Sequence, residues 1–252
     1  KKISLTNIPR VKDVKTMIKL LESMGSKVKV LKNKNSLIIQ NDKIIKAEAS
    51  YDLMSTMRAG IIVLGPLLAR FGKARASIPG GCNLGFRPID IHLEAFKKMG
   101  VKYKLVDGYI NAKAKNGLVG AKIKFPKISV GATENLMIAA CLAKGQTVLS
   151  NCAIEPEIKD LSNFLCSIGA KIVWTGRRQV KIIGVKTFKQ SNYKIMFDRI
   201  EAGTMLIAGA INQGNLKITG IESSILEKEI DLLKKIGAKI NQKKNEIIIK
   251  GN

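Results

Sequence analysis

One histidine, one tryptophan and four cysteines in 252 residues are scarcities that exclude several chemistries. Cys82, Cys141, Cys152 and Cys166 form no CxxC pair and no cluster with His92, so no zinc site is expected. Reduced thiols in a cytoplasmic chain are the simpler account. Cys141 in LMIAACLAKG and Cys166 in LSNFLCSIG fall in helical patterns and read as inert packing. No apolar run approaches the roughly 18 residues of a membrane span. KKISLTNIPRVKDV has the basic start of a secretory signal but not its apolar segment. Aromatics are only 5%, without the stacking motif of RNA-binding sheets. Acidic residues are few, 19 against 44 Lys and Arg, giving a formal net charge of +25. That excess suits a polyanion, but the lysines are spread through KVKVLKNKNS, EAFKKMG and NQKKNEIIIK, at helix ends and turns. Neither a nucleic-acid nor a membrane partner is expected.

Apolar residues, at 46%, are ample for one large or two smaller cores, and they are organised as a repeat. A helix, a glycine and a strand recur in MIKLLESMGSKVKV, HLEAFKKMGVKYKL, LSNFLCSIGAKIVW and EIDLLKKIGAKINQ, with marker glycines Gly25, Gly100, Gly169 and Gly237 at separations of 75, 69 and 68 residues. Each marker suits a left-handed helix cap. Apolar stripes run through Val14, Met17, Ile18 and Leu21, through Ile89, His92, Leu93 and Phe96, and through Leu161, Phe164, Leu165 and Ile168.

A second series alternates with the first: GIIVLGPLLARFGKARAS, NLMIAACLAKGQTVLS and TMLIAGAINQGNLKIT. Its helices are almost wholly apolar and are expected to be buried on all sides. Gly72, Gly145 and Gly214 are each followed five residues later by Ser77, Ser150 and Thr219. The repeat therefore holds an amphipathic outer helix, an enclosed inner helix and strands, about 70 residues in all. The chain opens at ISLTN, which matches a closing strand, and stops at NEIIIKGN, halfway through a fourth unit. The register leads us to expect a piece of a longer protein.

From the closing Ser or Thr to the next marker glycine, three of the four copies run 18 or 19 residues and one runs 23. The long copy holds ASIPGGCNLGFRPIDIH, residues 76–92. A lengthened, glycine-rich loop is a favoured place for function. Its thiol, Cys82, lies five residues before Arg87, and a nearby cation favours thiolate. Arg58, in STMRAG, opens an apolar helix, where a guanidinium must reach water or an anion. In KISVGAT, Lys127 and Ser129 stand just ahead of a helix N-terminus, a natural seat for an anion. Ser129 is read either as ligand contact or as helix cap, and Pro88 either as part of a site or as an ordinary first-turn proline. His92 falls on its helix's apolar stripe, which favours packing near the site over a general base. Glu155 and Glu157 read as first-turn carboxylates, and Asp198, Arg199 and Glu201 as a charge cluster without assigned chemistry.

YDLMSTMRAGIIVLGPLLARFG, PGGCNLGFRPIDIH, KISVGATENLMIAACLAKG, EPEIKDLSNFLCSIGAKI and DRIEAGTMLIAGAI together closely resemble the enolpyruvyl transferase family, in particular its members that act on UDP-N-acetylglucosamine. The resemblance implies an α/β fold, the inside-out α/β barrel, with two domains built from repeated βαβαββ-like units. Residues 1–196 would be most of the domain bearing the catalytic loop, as three repeats, and 197–252 a part of the other. It implies transfer of the enolpyruvyl group of phosphoenolpyruvate to the 3-hydroxyl of UDP-N-acetylglucosamine, with release of phosphate, the step that opens bacterial peptidoglycan synthesis. It implies no metal, no organic cofactor and a monomer in the cytoplasm.

By the same resemblance Cys82 is the general acid toward the methylene carbon of phosphoenolpyruvate, and the residue alkylated by fosfomycin. Arg58, then Arg87, Pro88, Ile89, Asp90 and Ile91, and then Lys127, Ile128, Ser129 and Val130 contact substrate, mostly the nucleotide. Family members also use a Lys-Asn pair near the N-terminus and an Asp and several Arg of the other domain. Those segments are not among these residues, so this chain alone is expected to be inactive. Three rivals are weaker: enolpyruvyl transfer to shikimate 3-phosphate, against which the PGGC loop speaks, a basic RNA-binding protein, and a non-catalytic remnant on the same fold.

Overall fold

The computed structural model describes residues 2–31, 35–41, 46–80 and 89–250, which form two compact units, Lys1–Lys194 and Ile195–Asn252. The first unit begins with β1 (Lys2–Thr6), α1 (Lys12–Ser23), β2 (Lys27–Leu31) and β3 (Ser36–Gln40). It continues through β4 (Glu48–Ala49), α2 (Tyr51–Met54), a 3-10 segment (Arg58–Val63) leading into α3 (Leu64–Phe71), β5 (Lys73–Ser77), α4 (Asp90–Lys98), β6 (Lys102–Val106) and β7 (Tyr109–Lys113). A further repeat follows as β8 (Lys122–Lys124), α5 (Val130–Ala140), β9 (Gln146–Ser150), α6 (Pro156–Ser167), β10 (Lys171–Gly176) and β11 (Gln179–Ile183), and the unit ends on β12 (Ser191–Lys194). The second unit holds α7 (Arg199–Ile211), β13 (Leu216–Thr219), a 3-10 segment (Ser223–Leu226), α8 (Glu227–Lys235), β14 (Lys239–Lys243) and β15 (Glu246–Lys250).

The repeat read from the sequence is the organising unit. Among the described residues of the first unit, three four-stranded sheets share one pattern: β4-β5-β7-β6, β8-β9-β11-β10 and β12-β1-β3-β2. In each the first pair is parallel and the others antiparallel. A parallel pair needs a crossover, and the inner helices α3 and α5 supply it for the first two sheets. In the third sheet, β12 supplies the parallel partner of β1, from Ile3 opposite Ser191 to Thr6 opposite Lys194. The first strand of the chain and the last strand of the unit thus meet in one sheet.

The marker glycines behave alike. Gly25, Gly100, Gly169 and Gly237 take φ of 102, 87, 100 and 101°, the region where a Cβ would be strained. In all four the next amide donates to the carbonyl five residues back: Ser26 to Leu21, Val101 to Phe96, Ala170 to Leu165 and Ala238 to Leu233. This is the Schellman closure expected of a glycine cap. Ser77, Ser150 and Thr219 end β5, β9 and β13, as their spacing from Gly72, Gly145 and Gly214 implies.

One core runs through the first unit. Leu64 and Leu68 of α3, Leu136 and Met137 of α5, and Phe96 of α4 are fully buried with Ala76, Ile110, Leu149 and Val180 of the sheets. In α1, Met17 and Leu21 of the expected stripe pack against this core beside Leu20, which is at 0% exposure, while Val14 and Ile18 line a groove of about 370 Å³ with Val30, Leu31 and Leu37. Two expectations need correction. Cys166 is exposed on α6, because Leu165 and Ile158 take the inward face there. The third inner helix, α7, is not enclosed within its unit. It buries Ala202, Gly203, Leu206 and Gly209 but leaves Ile200, Met205 and Ile211 at 61, 48 and 75% exposure, because the second unit sets one three-stranded sheet and α8 against it.

Candidate functional site

In the first unit a pocket of about 540 Å³ opens at the N-terminus of α5. Arg58, Ile91, Lys127, Ile128, Ser129 and Val130, all expected from sequence, line it together with Asp13, Ile61, Ile62, His92, Gly131 and Glu134. Residues 58, 91 and 127–130 come from three separate stretches of chain, and the fold brings them to one place.

Each stretch is held by buried neighbours. Met54 and Met57, at 0 and 1% exposure, anchor the chain before Arg58, and the Gly60 amide donates to Met57 at 3.1 Å to start the 3-10 turn. Ile91 stands in the first turn of α4, beside buried His92 and Leu93. The loop carrying Lys127 hangs from Phe125, which is 1% exposed. The Phe125 amide donates to Ser150 at 3.0 Å and its carbonyl accepts from the Asn151 side chain at 3.0 Å.

Ser129 is the cap of α5, its hydroxyl accepting the Ala132 amide at 3.3 Å, and it lines the pocket as well. The Thr133 amide donates to the Ser129 carbonyl. The Val130 and Gly131 amides belong to the first turn, whose N–H groups have no intrahelical acceptor. Together with the Arg58 guanidinium and the Lys127 ammonium they make a mouth suited to an anion, with the positive end of the helix dipole behind it.

Two titratable groups in the pocket are shifted. Burial, and then the charge of Arg58, hold His92 down to about 4, while Asp90 pulls weakly the other way. Burial raises Glu134 to about 7, with Glu157 and then Glu155 adding to it. His92 is therefore neutral near neutral pH and Glu134 is only partly ionised, so the positive charge at the mouth is carried by Arg58 and Lys127, against Asp13 and the ionised fraction of Glu134.

Ile89 and Asp90 sit at the start of α4 next to the pocket without lining it. Cys82, Arg87 and Pro88 lie outside the described residues. Of the other residues weighed, Glu155 stands just before α6 with its carboxylate accepting the Ile154 amide, and Glu157 is in the first turn. Asp198 caps α7, accepting the Ile200 and Glu201 amides, and Arg199 faces Glu229 at 4.0 Å. Sequence reasoning passed over Glu134 and Asn135, although they are the one acid and the one amide in an otherwise apolar helix. Asn135 is 0% exposed and bonds to the Gly65 amide at 2.8 Å, the Ile61 carbonyl at 2.9 Å and the His92 ring at 3.1 Å.

The family model for EPSP synthase (3-phosphoshikimate 1-carboxyvinyltransferase) matches residues 1–252. The chain belongs to that family. Among curated members, it is 63% identical over 252 residues to UDP-N-acetylglucosamine 1-carboxyvinyltransferase of Pelagibacter ubique, covering 100% of this chain and 60% of that one. It is 45% identical to the protein of the same name from Trichlorobacter lovleyi, covering 98% and 59%. The enolpyruvyl transferase NikO from Streptomyces tendae superposes with a TM-score of 0.86 at 21% identity, covering 99% of this chain and 60% of that one. EPSP synthase from Acinetobacter baumannii does so with 0.76 at 16%, covering 100% and 59%. These two structures establish the enolpyruvyl transferase fold for the chain. The chain spans about 60% of the length of the relatives it matches.

Proposed function

We propose that the protein transfers the enolpyruvyl group of phosphoenolpyruvate to the 3-hydroxyl of UDP-N-acetylglucosamine, and that the pocket at α5 is its nucleotide seat. The observation that carries this reading is the convergence of Arg58, Lys127, Ser129 and the first turn of α5 on one mouth. A diphosphate needs such a set: a guanidinium fork, an ammonium, a hydroxyl and helix-end amides. The apolar side chains of Ile91, Ile128 and Val130 line the same pocket and suit the face of a base or sugar. Arg87, Pro88, Ile89 and Asp90 complete the seat in this reading. The names of the relatives from Pelagibacter ubique and Trichlorobacter lovleyi support the sugar nucleotide as acceptor rather than shikimate 3-phosphate.

In the reaction the acceptor 3-oxygen bonds to C2 of phosphoenolpyruvate while the methylene carbon takes a proton. The acceptor hydroxyl gives up its own proton in that addition, and loss of a proton from the newly formed methyl group together with phosphate from C2 then restores the vinyl group, now carried by the acceptor oxygen. Cys82 is the proton donor in this proposal. A donor must hold its proton, so in this proposal Cys82 acts as the thiol and not as the thiolate.

The test is phosphate release by the intact protein from phosphoenolpyruvate, with UDP-N-acetylglucosamine or shikimate 3-phosphate as acceptor. Release that depends on the sugar nucleotide is expected, and release that depends only on shikimate 3-phosphate would replace the reading with its rival. Cys82→Asp should retain some turnover, since a carboxylic acid still donates a proton, and should lose labelling by an epoxide such as fosfomycin. Continued covalent labelling of the loop in that variant would remove Cys82 from its role.

A further inference from the structure

His92 is the only histidine of the chain, and its ring is 4% exposed. Its Nδ1 lies 3.1 Å from Asn135 Nδ2, and the other contacts of Asn135 decide which atom donates. Asn135 Oδ1 accepts the Gly65 amide at 2.8 Å, and Nδ2 donates to the Ile61 carbonyl at 2.9 Å. Turning the amide over would set NH₂ against the Gly65 N–H and oxygen against the Ile61 carbonyl, replacing two bonds with two repulsions. Backbone groups therefore fix the polarity of Asn135, and its second N–H faces His92 Nδ1. A ring nitrogen that accepts carries no proton, so in the neutral ring the proton is on Nε2.

That proton sits at the functional edge. A Cβ built on Gly131 would lie 3.5 and 3.6 Å from His92 Cε1 and Nε2, so this edge of the ring runs beside the first turn of α5. The ring and Gly131 both line the pocket.

We propose that Asn135 is a positioning residue that holds His92 as the Nε2–H tautomer, giving the pocket a neutral hydrogen-bond donor for an anionic ligand oxygen. The choice of ligand rests on the nucleotide reading above, whereas the tautomer does not. Neutrality fits the neighbours: the Arg58 guanidinium disfavours a second cation, and His92 is held down to about 4 with Asp90 opposing. Lys127, Glu134 and Asp13 are the other charged or titratable residues lining the pocket. An aspartate in place of Asn135 would invert the arrangement, because a carboxylate accepts from Nδ1–H and takes the proton away from the pocket edge. Gly65 is part of the device, since a Cβ there would come within 2.4 Å of Asn135 Oδ1 and 2.5 Å of the Asn135 carbonyl oxygen.

Because only one ring is present, chain labelled with ¹⁵N-histidine gives one set of long-range ¹H–¹⁵N correlations. At neutral pH the expected pattern has a protonated Nε2 and an unprotonated Nδ1; the reverse pattern, or an average of the two, overturns the proposal. Asn135→Asp should reverse the pattern or raise the ring's titration midpoint, and an unchanged ring in a folded Asn135→Asp variant would contradict the positioning role. Should that variant fail to fold, the wild-type pattern remains decisive. Inorganic pyrophosphate probes the donor role: it should shift Nε2 more than Nδ1, and an unmoved Nε2 overturns that role. Asn135→Asp should also weaken pyrophosphate binding by about tenfold, the scale of one hydrogen bond to a charged group. Titration with UDP-N-acetylglucosamine separates the two ideas, since failure to bind it while pyrophosphate still moves Nε2 would sink the nucleotide reading and leave the donor standing.

Discussion

α5 and α7 occupy the same place in two copies of the repeat, yet one is enclosed and the other is half bare. Both are almost wholly apolar, and both begin at a side-chain cap sixteen residues before a glycine, Ser129 before Gly145 and Asp198 before Gly214. Nine residues before those glycines stand Leu136, at 0% exposure, and Met205, at 48%. The difference lies in what packs around each helix. α5 contributes to a core whose buried strand residues come from two four-stranded sheets, together with α3, α4 and α6, whereas α7 within its own unit meets a single three-stranded sheet and α8. An apolar helix signals that it can be enclosed, and its partners decide whether it is.

The largest test of this contrast is Leu136→Ala, which should cost about 2–5 kcal/mol, since it removes methyl groups from a site with no room to collapse. Urea denaturation read by the circular dichroism of the chain would measure it. A loss below about 1 kcal/mol would mean that α5 is not tightly enclosed.

Enclosure also leaves a signature in pH. An unfolded chain protonates His92 near 6.5, but the folded ring refuses the proton until about 4, so this residue removes stability as pH falls through that window. Glu134 acts in the opposite sense: folded, it keeps its proton up to about 7, while unfolded it ionises near 4.5, so it removes stability as pH rises between those values. Each contribution is about 3 kcal/mol at full extent, and between pH 4.5 and 6.5 they offset one another. His92→Gln should therefore expose a stability that falls with rising pH, and Glu134→Gln one that falls with falling pH. Urea midpoints across that range would show the two slopes, and parallel curves for both variants and the parent would refute the shifts.

The smallest effect is expected at the matching place in α7. Met205→Ala should change stability by less than about 0.5 kcal/mol, as for an exposed position. A cost approaching that of Leu136→Ala would mean that α7 is covered after all.

The same contrast explains how much was legible in the sequence. Glycine caps and strand ends are local, and Gly25, Gly100, Gly169 and Gly237 were placed correctly because each needs only its own helix to define it. Arg58 and the run from Lys127 to Val130 could be singled out because their motifs stand at helix starts, and the structure places them around one pocket. The exposure of α7 and of Cys166 was not legible, because periodicity reports that a face is apolar and never what covers it. Asn135 was missed for a related reason: its partners His92, Gly65 and Ile61 lie 43, 70 and 74 positions away. No window of sequence contains that network, although an amide inside an apolar helix signals that a partner must exist.

The central claim is that the start of α5, and not its counterpart in α7, seats an anionic nucleotide. Amide-resolved NMR of the chain during titration with UDP tests it most directly. Saturable shifts of the Val130 and Gly131 amides, with Arg199 and Ile200 unmoved and about tenfold weaker binding in Lys127→Ala, are the predicted result. Shifts at the start of α7 instead, or binding that is indifferent to Lys127, would contradict the account.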